Sequence, residues 1–447
     1  MRVLVPAVAL LLSLAAGAQE SVEGYWQGAM MRDGSARIID VDVFRDGDAL
    51  KARVRAADWI AERPPIAVTQ EGSIVKLELT PEQPATLHLD AVTGELVGTS
   101  GNLVPPIRVH LKRALRPVTI PVTTEDVRFT SGDATLAGTL YLPAGAGPHP
   151  AIVWIHGRGK QARGGFRGWA RLFAERGVAS LIYDKRGAGE STGDYDTASM
   201  SELADDAIAA ISLLAKRKEI DAKQIGVRGN SAGGWVSAIV ANRSPVPLAF
   251  IITTVGPADS VRDQQIHVAQ YNMRRSGIDF TPDEYAAAAA HMGLVTGFAY
   301  TSEGWDALQA SVQNAKTTRW AKFVDLPEKQ DYEDIVWVRR KQYDPAADLR
   351  KIRTPFLALF GEDDYVVPPQ ENVPKLERYL TEAGNKDFRI LVVPHAGHGL
   401  SLSDEVRELP GDVHYWVWPK VAPDAVRVQV EWLLAHVKLA ERRRPAG

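Results

Sequence analysis

The sequence contains no cysteine, and it has little excess of charge of either sign. The absence of cysteine excludes disulfide bonds, cysteine-ligated metals and a thiol nucleophile. The formal net charge is −3 at pH 7, so we expect no basic surface for nucleic acid. Beyond the N-terminal segment no apolar run has the length of roughly 20 residues that a membrane-spanning helix needs. We therefore expect no stable insertion into a membrane.

The first residues read "MRVLVPAVALLLSLAAGAQE", with one arginine, an apolar run and then small residues ending at Ala18. This order is typical of a secretory signal peptide over residues 1–18. A membrane anchor is the alternative, but the apolar run is shorter than a spanning helix requires. We therefore expect an exported protein, either periplasmic or secreted.

Residues 21–116 carry the alternation of apolar and polar residues that half-buried antiparallel strands have. The alternating segments are "ARIIDVDVF", "ALKARVRA", "SIVKLELT", "ATLHLD" and "IRVHLKRA". Trp26 stands at the start of a further strand and is expected to fill the core. The pattern predicts a small all-β domain, either a barrel or a sandwich, and it holds no cluster of catalytic residue types.

After a predicted linker at residues 117–125, the pattern changes to nearly continuous apolar runs that alternate with helical segments over residues 126–440. Such runs predict a mostly parallel sheet with helices on both faces. Ligands of these sheets bind at the carboxyl ends of the strands. The loops that follow each apolar run are therefore the expected location of the chemistry.

Residues 257–350 interrupt this alternation with several amphipathic stretches. Thr281, Pro282 and Glu284 have the spacing of a helix N-cap, a first-turn proline and a capping-box glutamate. We interpret the segment as a helical cap inserted after one strand and lying over the site; the alternative is a helical decoration on the outside of the sheet. The apolar residues of the segment that could face the site include Tyr285, Met292, Trp305 and Trp320.

The stretch "QIGVRGNSAGGW" reads as a strand, a sharp turn and a helix, with Ser231 at the turn in the pattern G-x-S-x-G. This is the pattern of a nucleophile elbow, in which small neighbours permit a strained turn and the free N–H groups of the next helix face the reacting group. The alternative is a tight turn at a helix start with no chemical role. The choice depends on whether the chain also supplies a base and an acid.

Both partners follow later strands of the predicted sheet. Glu362, Asp363 and Asp364 come after "FLALFG", and His395 and His398 come after "FRILVVP". A serine nucleophile needs a histidine as base and a carboxylate that orients the histidine. The order serine, acid, histidine is that of the nucleophile-elbow class. A metal site on the two histidines is a weaker alternative, because this order requires no metal.

Five motifs together resemble the α/β-hydrolase superfamily: "HGRG", "DKRGAGES", "GNSAGG", "GEDDYVVP" and "HAGH". The resemblance covers about residues 126–440. It is closest to exported bacterial esterases with an N-terminal β-domain, and more distant to the prolyl-oligopeptidase and dienelactone-hydrolase groups. It implies an α/β-hydrolase fold with a helical cap insertion.

The resemblance also implies a catalytic triad. The family histidine is the second one of "HAGH", which is His398, while His395 is interpreted as a surface or supporting residue. The family acid in G-x-x-D-x-x-V-P is Asp364, with Asp363 as the next candidate and Glu362 third. Ser231 is the implied nucleophile.

Two backbone N–H groups are expected to form an oxyanion hole. In this superfamily the H-G-x-G loop supplies one donor, which here is Arg158, with Gly159 as the alternative. The second donor is Ala232, the residue after the nucleophile. We expect the Arg158 side chain to point to water, with a contact to an acidic substrate group as the alternative.

Three further features receive structural interpretations. Asp184 and Arg186 of "DKRGAGES" are expected to brace each other and the loops near the site. Trp416 and Trp418 are expected in a buried, strand-like segment, and the C-terminal "ERRRPAG" is expected to be a solvated tail.

The sequence thus predicts a serine hydrolase that cleaves carboxylic esters of small molecules through an acyl-enzyme, with no cofactor and no metal. A peptidase or amidase with the same residues is the first alternative, and an acyltransferase is the second. An alternative of another class is a non-catalytic binding protein that keeps the fold, although no member of the triad is missing here.

Overall fold

The structure, a computed structural model, describes residues 21–32, 35–55, 64–78, 84–101, 104, 106–116, 120–401 and 422–439. The chain divides into two compact units, one that ends at Arg116 and a larger one that continues to Gly447. The predicted signal peptide, the C-terminal tail, Trp416 and Trp418 lie outside the described residues and stay predictions. Among the helices of the described residues, none is both long and apolar enough to cross a membrane.

The first unit is a closed barrel of antiparallel strands, in which each strand pairs with the next and the first closes against the last. The strands are β1 (Gly24–Arg32), β2 (Ser35–Asp46), β3 (Ala49–Arg55), β4 (Ile66–Glu71), β5 (Ile74–Leu77), β6 (Ala85–Leu89), β7 (Leu96–Ser100) and β8 (Ile107–Arg113). Trp26 is fully buried, as expected, and its Nε1–H donates to the carbonyl of Val22 at 2.9 Å. The sequence pattern missed β4 and β7, because each is short and is held mainly by pairing with strands on both sides.

The second unit contains a mixed sheet in the order β16-β15-β14-β13-β11-β12-β10-β9. Its strands are β9 (Val122–Ser131), β10 (Ala134–Pro143), β11 (His149–Ile155), β12 (Ala179–Tyr183), β13 (Ile220–Asn230), β14 (Ile251–Thr254), β15 (Phe356–Gly361) and β16 (Phe388–Val393). Strands β11 to β16 are parallel to one another, and β10 is antiparallel to both of its neighbours.

One sequence boundary differs from the structure. Residues 122–125 were assigned to the linker, but they begin β9 and pair with the end of β10, where Val122 lies opposite Pro143. Pro117 and Pro121 suggested a break in regular structure. However, a strand at the edge of a sheet can begin directly after a proline, because only the N–H of that proline is missing.

The helices of the second unit are α1 (Arg167–Ala174), α2 (Met200–Ala215), α3 (Gly233–Arg243), α4 (Val261–Arg275), α5 (Pro282–Thr301), α6 (Trp305–Ala315), α7 (Glu333–Arg340), α8 (Ala346–Leu349), α9 (Pro369–Glu382) and α10 (Pro423–His436). Helices α1 and α10 pack in the core on one face of the sheet, while α2, α3 and α9 pack in the core on the other. The alternation along β11 divides its side chains between the two cores, with Ile152 and Trp154 in one and Val153 and Ile155 in the other. The prediction of a mostly parallel sheet covered on both faces is confirmed.

The predicted helical insertion lies between β14 and β15 and contains α4 to α8. Thr281 caps α5 in a complete capping box with Glu284, and Pro282 occupies the first turn. The four apolar residues proposed to face the site have other contacts. Tyr285 and Trp320 belong to a small cluster within the insertion, Met292 lies in the main core, and Trp305 packs on Phe298 with ring centroids 4.9 Å apart.

Candidate active site

Ser231 occupies a sharp turn between β13 and α3. Its φ is +51°, which is strained for a residue other than glycine. The adjoining strand and helix approach closely at this turn, since a Cβ on Gly229 would lie 2.3 Å from the carbonyl oxygen of Gly233. The N–H of Ser231 donates to the carbonyl of Thr254 at 2.9 Å, which ties the turn to β14. These features are those of the strained nucleophile turn, not of a loose connection.

Ser231, His398 and Asp364 form a continuous chain of hydrogen bonds. The distance between Ser231 Oγ and His398 Nε2 is 2.9 Å. On the other side of the imidazole, Nδ1 lies 3.0 Å from Oδ1 and 2.9 Å from Oδ2 of Asp364. The three residues follow β13, β15 and β16, whose carboxyl ends meet at one edge of the sheet. The arrangement leaves Nε2 free to accept the serine proton.

Asp364 is the only one of the three candidate acids that is hydrogen-bonded to His398 among the described residues. Its side chain is fully buried, and Oδ1 also accepts the N–H groups of Val366 and Val367 at 2.8 and 2.9 Å. These donors compensate the burial of the carboxylate. The turn after β15 thus holds this one carboxylate through two backbone N–H groups.

The other acidic residues of this turn have different contacts. Glu362 Oε2 accepts the N–H of His395 at 3.0 Å, and the His395 side chain is 69% exposed. Asp363 is held through its backbone, because its carbonyl accepts Nη1–H of Arg275 from α4 at 2.7 Å. The exposure of its side chain agrees with the interpretation of His395 as a surface residue.

The loop after β11 lies directly beside Ser231, since a Cβ on Gly157 would be 3.2 Å from Cβ of Ser231. The N–H of Gly159, the alternative oxyanion donor, is already donated to the hydroxyl of Tyr195 at 2.9 Å. Within the described part of the chain, the N–H groups of Arg158 and Ala232 are hydrogen-bonded to no protein acceptor. This pattern favours Arg158 over Gly159 as the first donor.

The Arg158 side chain does not point only to water, as the sequence led us to expect. Its guanidinium forms an ion pair with Asp334 of α7 and lies 4.3 Å from the centroid of the Trp337 ring. The expectation failed because the partner lies 176 residues away in sequence. Helix α7 of the insertion therefore contacts the loop that carries the proposed oxyanion donor.

A second helix of the insertion contacts the acid turn. In addition to the bond from Arg275 to Asp363, Nε2–H of Gln264 in α4 donates to the carbonyl of Val366 at 2.9 Å. The insertion thus touches loops that lie on both sides of the Ser231 hydroxyl. We infer from these contacts that it lies over the carboxyl edge of the sheet.

Asp184 and Arg186 were expected to brace each other, and this was wrong. Asp184 pairs with Arg163, with 2.7 Å between Oδ2 and Nη1. Arg186 pairs with Asp206 of α2 through two bonds of 2.8 and 2.7 Å. The side chains of Asp184 and Arg186 point in different directions from their loop. Each therefore forms its ion pair with a residue of another segment. Neither partner had a signal in the sequence.

Sequence reasoning also missed a buried residue between these two. Lys185 donates its ammonium protons to the carbonyl oxygens of Gly157 and Gly159, the latter at 3.1 Å. Its position in "DKRGAGES" gave no sign that it reaches the loop after β11. A lysine is most often on the surface, so the sequence alone favoured an exposed side chain.

A cavity of about 480 Å³ opens beside α4, with Asp325 and Arg275 among its lining residues. The pKa of Asp325 is raised to about 6, mainly by burial and also by the negative charge of Asp334, while the Arg158 guanidinium opposes the effect. Among the described residues, no group of three or more histidine, aspartate or glutamate side chains is arranged to hold a metal ion.

The raised pKa of Asp325 gives a prediction for stability. An unfolded aspartate has a pKa of about 4. Between about pH 4 and pH 6 the folded state therefore binds more protons than the unfolded state, and its stability falls as the pH rises. We expect Asp325→Asn to raise the free energy of unfolding by about 1 to 3 kcal/mol at pH 8 and to leave it unchanged at pH 4. Urea unfolding at both pH values measures the difference.

The exposed Asp331, in the same segment, provides the matched control. Asp331→Asn should change stability little at either pH. If Asp325→Asn changed the free energy of unfolding equally at pH 4 and pH 8, the cost would not come from burying the charged carboxylate, and the prediction would be wrong.

The fold and the arrangement at its carboxyl edge are together those of an α/β hydrolase. Residues 131–399 match the sequence profile of the X-Pro dipeptidyl-peptidase (S15) family. Because this match covers more than half of the chain, the chain belongs to that family.

Two curated relatives with established names are similar to this chain. Esterase EstD of Thermotoga maritima is 25% identical over 304 residues, and the match covers 65% of each chain. The bifunctional esterase/perhydrolase DCH of Acinetobacter calcoaceticus is 26% identical over 243 residues, which are 52% of this chain and 79% of that protein. The chain therefore spans slightly less than two thirds of the length of EstD.

Among solved structures, an esterase of Pyrococcus furiosus aligns with a TM-score of 0.45 and 16% identity, over 72% of this chain and 98% of that one.

Proposed function

We propose that this protein hydrolyses carboxylic esters through an acyl-enzyme on Ser231. The observation that carries the proposal is the 2.9 Å contact between Ser231 Oγ and His398 Nε2, with the buried Asp364 on the other ring nitrogen. A serine hydroxyl is a weak nucleophile until a base removes its proton. These contacts support His398 as that base, held in position by Asp364 before any substrate binds.

In the acylation step, Ser231 Oγ attacks the carbonyl carbon while His398 Nε2 accepts the hydroxyl proton. The carbonyl electrons move to the oxygen, and the N–H groups of Arg158 and Ala232 stabilise the negative charge. Preorganised backbone donors of this kind contribute about 3 kcal/mol each to the stability of the transition state. Collapse of the tetrahedral intermediate breaks the bond to the leaving alcohol, whose oxygen takes the proton from His398.

In the deacylation step, His398 removes a proton from water and the hydroxide attacks the acyl carbon. The second tetrahedral intermediate uses the same two N–H groups, and its collapse returns the proton to Ser231 Oγ. The carboxylic acid then leaves. Asp364 keeps its charge throughout and stabilises the imidazolium that forms in each step. The proposal requires no cofactor and no metal.

The type of bond is a separate question, because one fold supports many substrates. The names of EstD and DCH favour an ester. The family description favours a second candidate, which is the release of an X-Pro dipeptide from the N-terminus of a peptide. Acyl transfer to an alcohol would use the same first step, with a different acceptor in place of water.

Purified protein distinguishes these candidates. We expect turnover of p-nitrophenyl esters of graded acyl length, with much slower release of p-nitroaniline from Ala- and Gly-Pro-anilides. A fluorophosphonate should add to Ser231, as located by peptide mass spectrometry. Faster turnover of the Gly-Pro-anilide than of every ester would replace the ester proposal by the peptidase. Absence of both turnover and labelling would favour the non-catalytic binding protein.

A further inference from the structure

We propose that Lys185 and Tyr195 are positioning residues that hold the loop of residues 157–159 so that the N–H of Arg158 faces the reacting carbonyl oxygen. The inference rests on the proposed function, and it adds two residues and one helix of the insertion to the machinery of the site. Neither residue belongs to the triad or to the oxyanion donors.

Lys185 determines the orientation of the peptide unit between Gly157 and Arg158. Its ammonium donates to the carbonyl oxygen of Gly157. In a trans peptide unit the C=O and the N–H point in opposite directions. A lysine that holds the Gly157 carbonyl on the buried side of the loop therefore turns the N–H of Arg158 to the opposite side.

Tyr195 and Gln161 determine the orientation of the next peptide unit. The N–H of Gly159 donates to the Tyr195 hydroxyl at 2.9 Å, while the Arg158 carbonyl on the other side accepts Nε2–H of Gln161 at 3.0 Å. Lys185 adds a bond of 3.1 Å to the Gly159 carbonyl. The peptide unit between Arg158 and Gly159 is thus held on both sides, and the units before and after it are held through their carbonyl oxygens. The donor at Arg158 therefore has little freedom to rotate.

The environment of Lys185 is unusual for a lysine with only a structural role. The side chain is buried, and its Nζ lies 4.3 Å from the centroid of the Tyr195 ring. Among the described residues no carboxylate forms an ion pair with this ammonium, and burial lowers the pKa of Lys185 to about 7. An unpaired buried ammonium is destabilising. Its hydrogen bonds to two loop carbonyls account for its presence here.

The helical insertion takes part through Tyr195. Nε1–H of Trp337 in α7 donates to the Tyr195 hydroxyl at 3.1 Å. Just after α7, Nζ of Lys341 donates to the carbonyl of Tyr195 at 2.8 Å and lies 4.6 Å from the centroid of its ring. The insertion therefore holds Tyr195 at both its hydroxyl and its backbone. Since Asp334 and Trp337 also hold the Arg158 side chain, one short helix secures the loop at two points.

Two variants of the full chain test this inference. Lys185→Met removes the ammonium and keeps an unbranched side chain, and Tyr195→Phe removes only the hydroxyl. We expect kcat on a p-nitrophenyl ester to fall about 10- to 100-fold in each, with KM changed less than about threefold, because the lost interaction acts in the transition state. Lys160→Met is the matched control, since Lys160 directly follows this loop, is half-exposed and, among the described residues, forms an ion pair only with Asp196. It should keep the wild-type kcat.

A second readout separates positioning from general destabilisation. An aryl trifluoromethyl ketone forms a tetrahedral adduct whose oxyanion occupies the oxyanion hole, whereas a product carboxylate does not form this adduct. We expect the inhibition constant of the ketone to rise in proportion to the loss of kcat/KM, with little change for the carboxylate. An equal weakening of both ligands would overturn the inference, and so would variants with wild-type kcat.

The design also separates this inference from the proposed function. The rate of fluorophosphonate addition to Ser231 depends on the same oxyanion hole but on no ester, so it should fall in both variants even if the natural bond is an amide. If the wild-type protein and both variants react equally rapidly with the fluorophosphonate, the positioning role alone is overturned. A wild-type protein that neither labels nor turns over substrate overturns both proposals. If either variant fails to fold, the other still provides the comparison.

Discussion

Ser231→Ala is expected to abolish ester hydrolysis, with a loss of kcat on the order of a millionfold. Loss of the nucleophile of a Ser–His–Asp site removes the covalent route, and a loss of about this size follows in a well-studied protease. The hydroxyl contacts His398 and is not required by the turn itself, because the strained backbone at +51° needs only a small side chain. We therefore expect the variant to fold and to unfold in urea at nearly the same concentration as the wild-type protein.

The matched control is Ser244→Ala, which removes a hydroxyl at the far end of α3, where Ser244 Oγ donates to the Val246 carbonyl. This variant should keep its activity. Activity is measured as the initial rate on a p-nitrophenyl ester, together with fluorophosphonate labelling. If purified Ser231→Ala kept more than a few per cent of the wild-type rate, the assignment of the nucleophile would be wrong.

Asp364→Asn is expected to lower kcat about ten-thousandfold, while Asp363→Asn should lower it less than about tenfold. An asparagine at position 364 presents an amide to the Nδ1 of His398 and favours the tautomer in which Nε2 carries the proton, which cannot accept one from serine. In a well-studied triad this substitution had an effect of about that size. Asp363 instead contacts Arg275 through its backbone carbonyl, which the substitution retains.

Urea unfolding controls for structural damage, because Asp364 also accepts the N–H groups of Val366 and Val367. The side-chain oxygen of asparagine can still accept these bonds, so we expect a modest loss of stability beside a large loss of activity. A larger catalytic loss for Asp363→Asn would assign the acid to that residue and contradict the register of the turn.

Much of the molecule was predictable because it depends on local properties of the chain. The apolar runs of β11 to β16 are nearly continuous because these strands are buried on both faces, and this pattern is visible without coordinates. The elbow around Ser231 is also local, since small residues on both sides are what the close approach of strand and helix requires. The barrel was predicted only as a barrel or a sandwich, because closure depends on β1 meeting β8, and alternation within a strand does not identify its partner.

The candidate triad was predictable for a related reason. Parallel strands place their carboxyl ends at one edge, so residues that follow successive strands are brought together whatever lies between them. From the residues alone, however, three acids remained open, and a resemblance was needed to prefer one. In the structure, the turn after β15 points Asp364 inward to His398 and leaves Glu362 beside His395 on the surface.

The sequence by itself determined the class of fold, the insertion and the set of candidate catalytic residues. The spacing of apolar residues and the residue types that follow each strand are both properties of short segments. Only the tertiary structure decided the partners of the charged side chains: Asp184 with Arg163, Arg186 with Asp206, and Arg158 with Asp334. It also placed the ammonium of Lys185 under the loop of residues 157–159 and the insertion against that loop through Tyr195. Such contacts join segments far apart in the chain, and a long side chain can reach in several directions. Their geometry is therefore set by how the elements pack and not by any pattern within one of them.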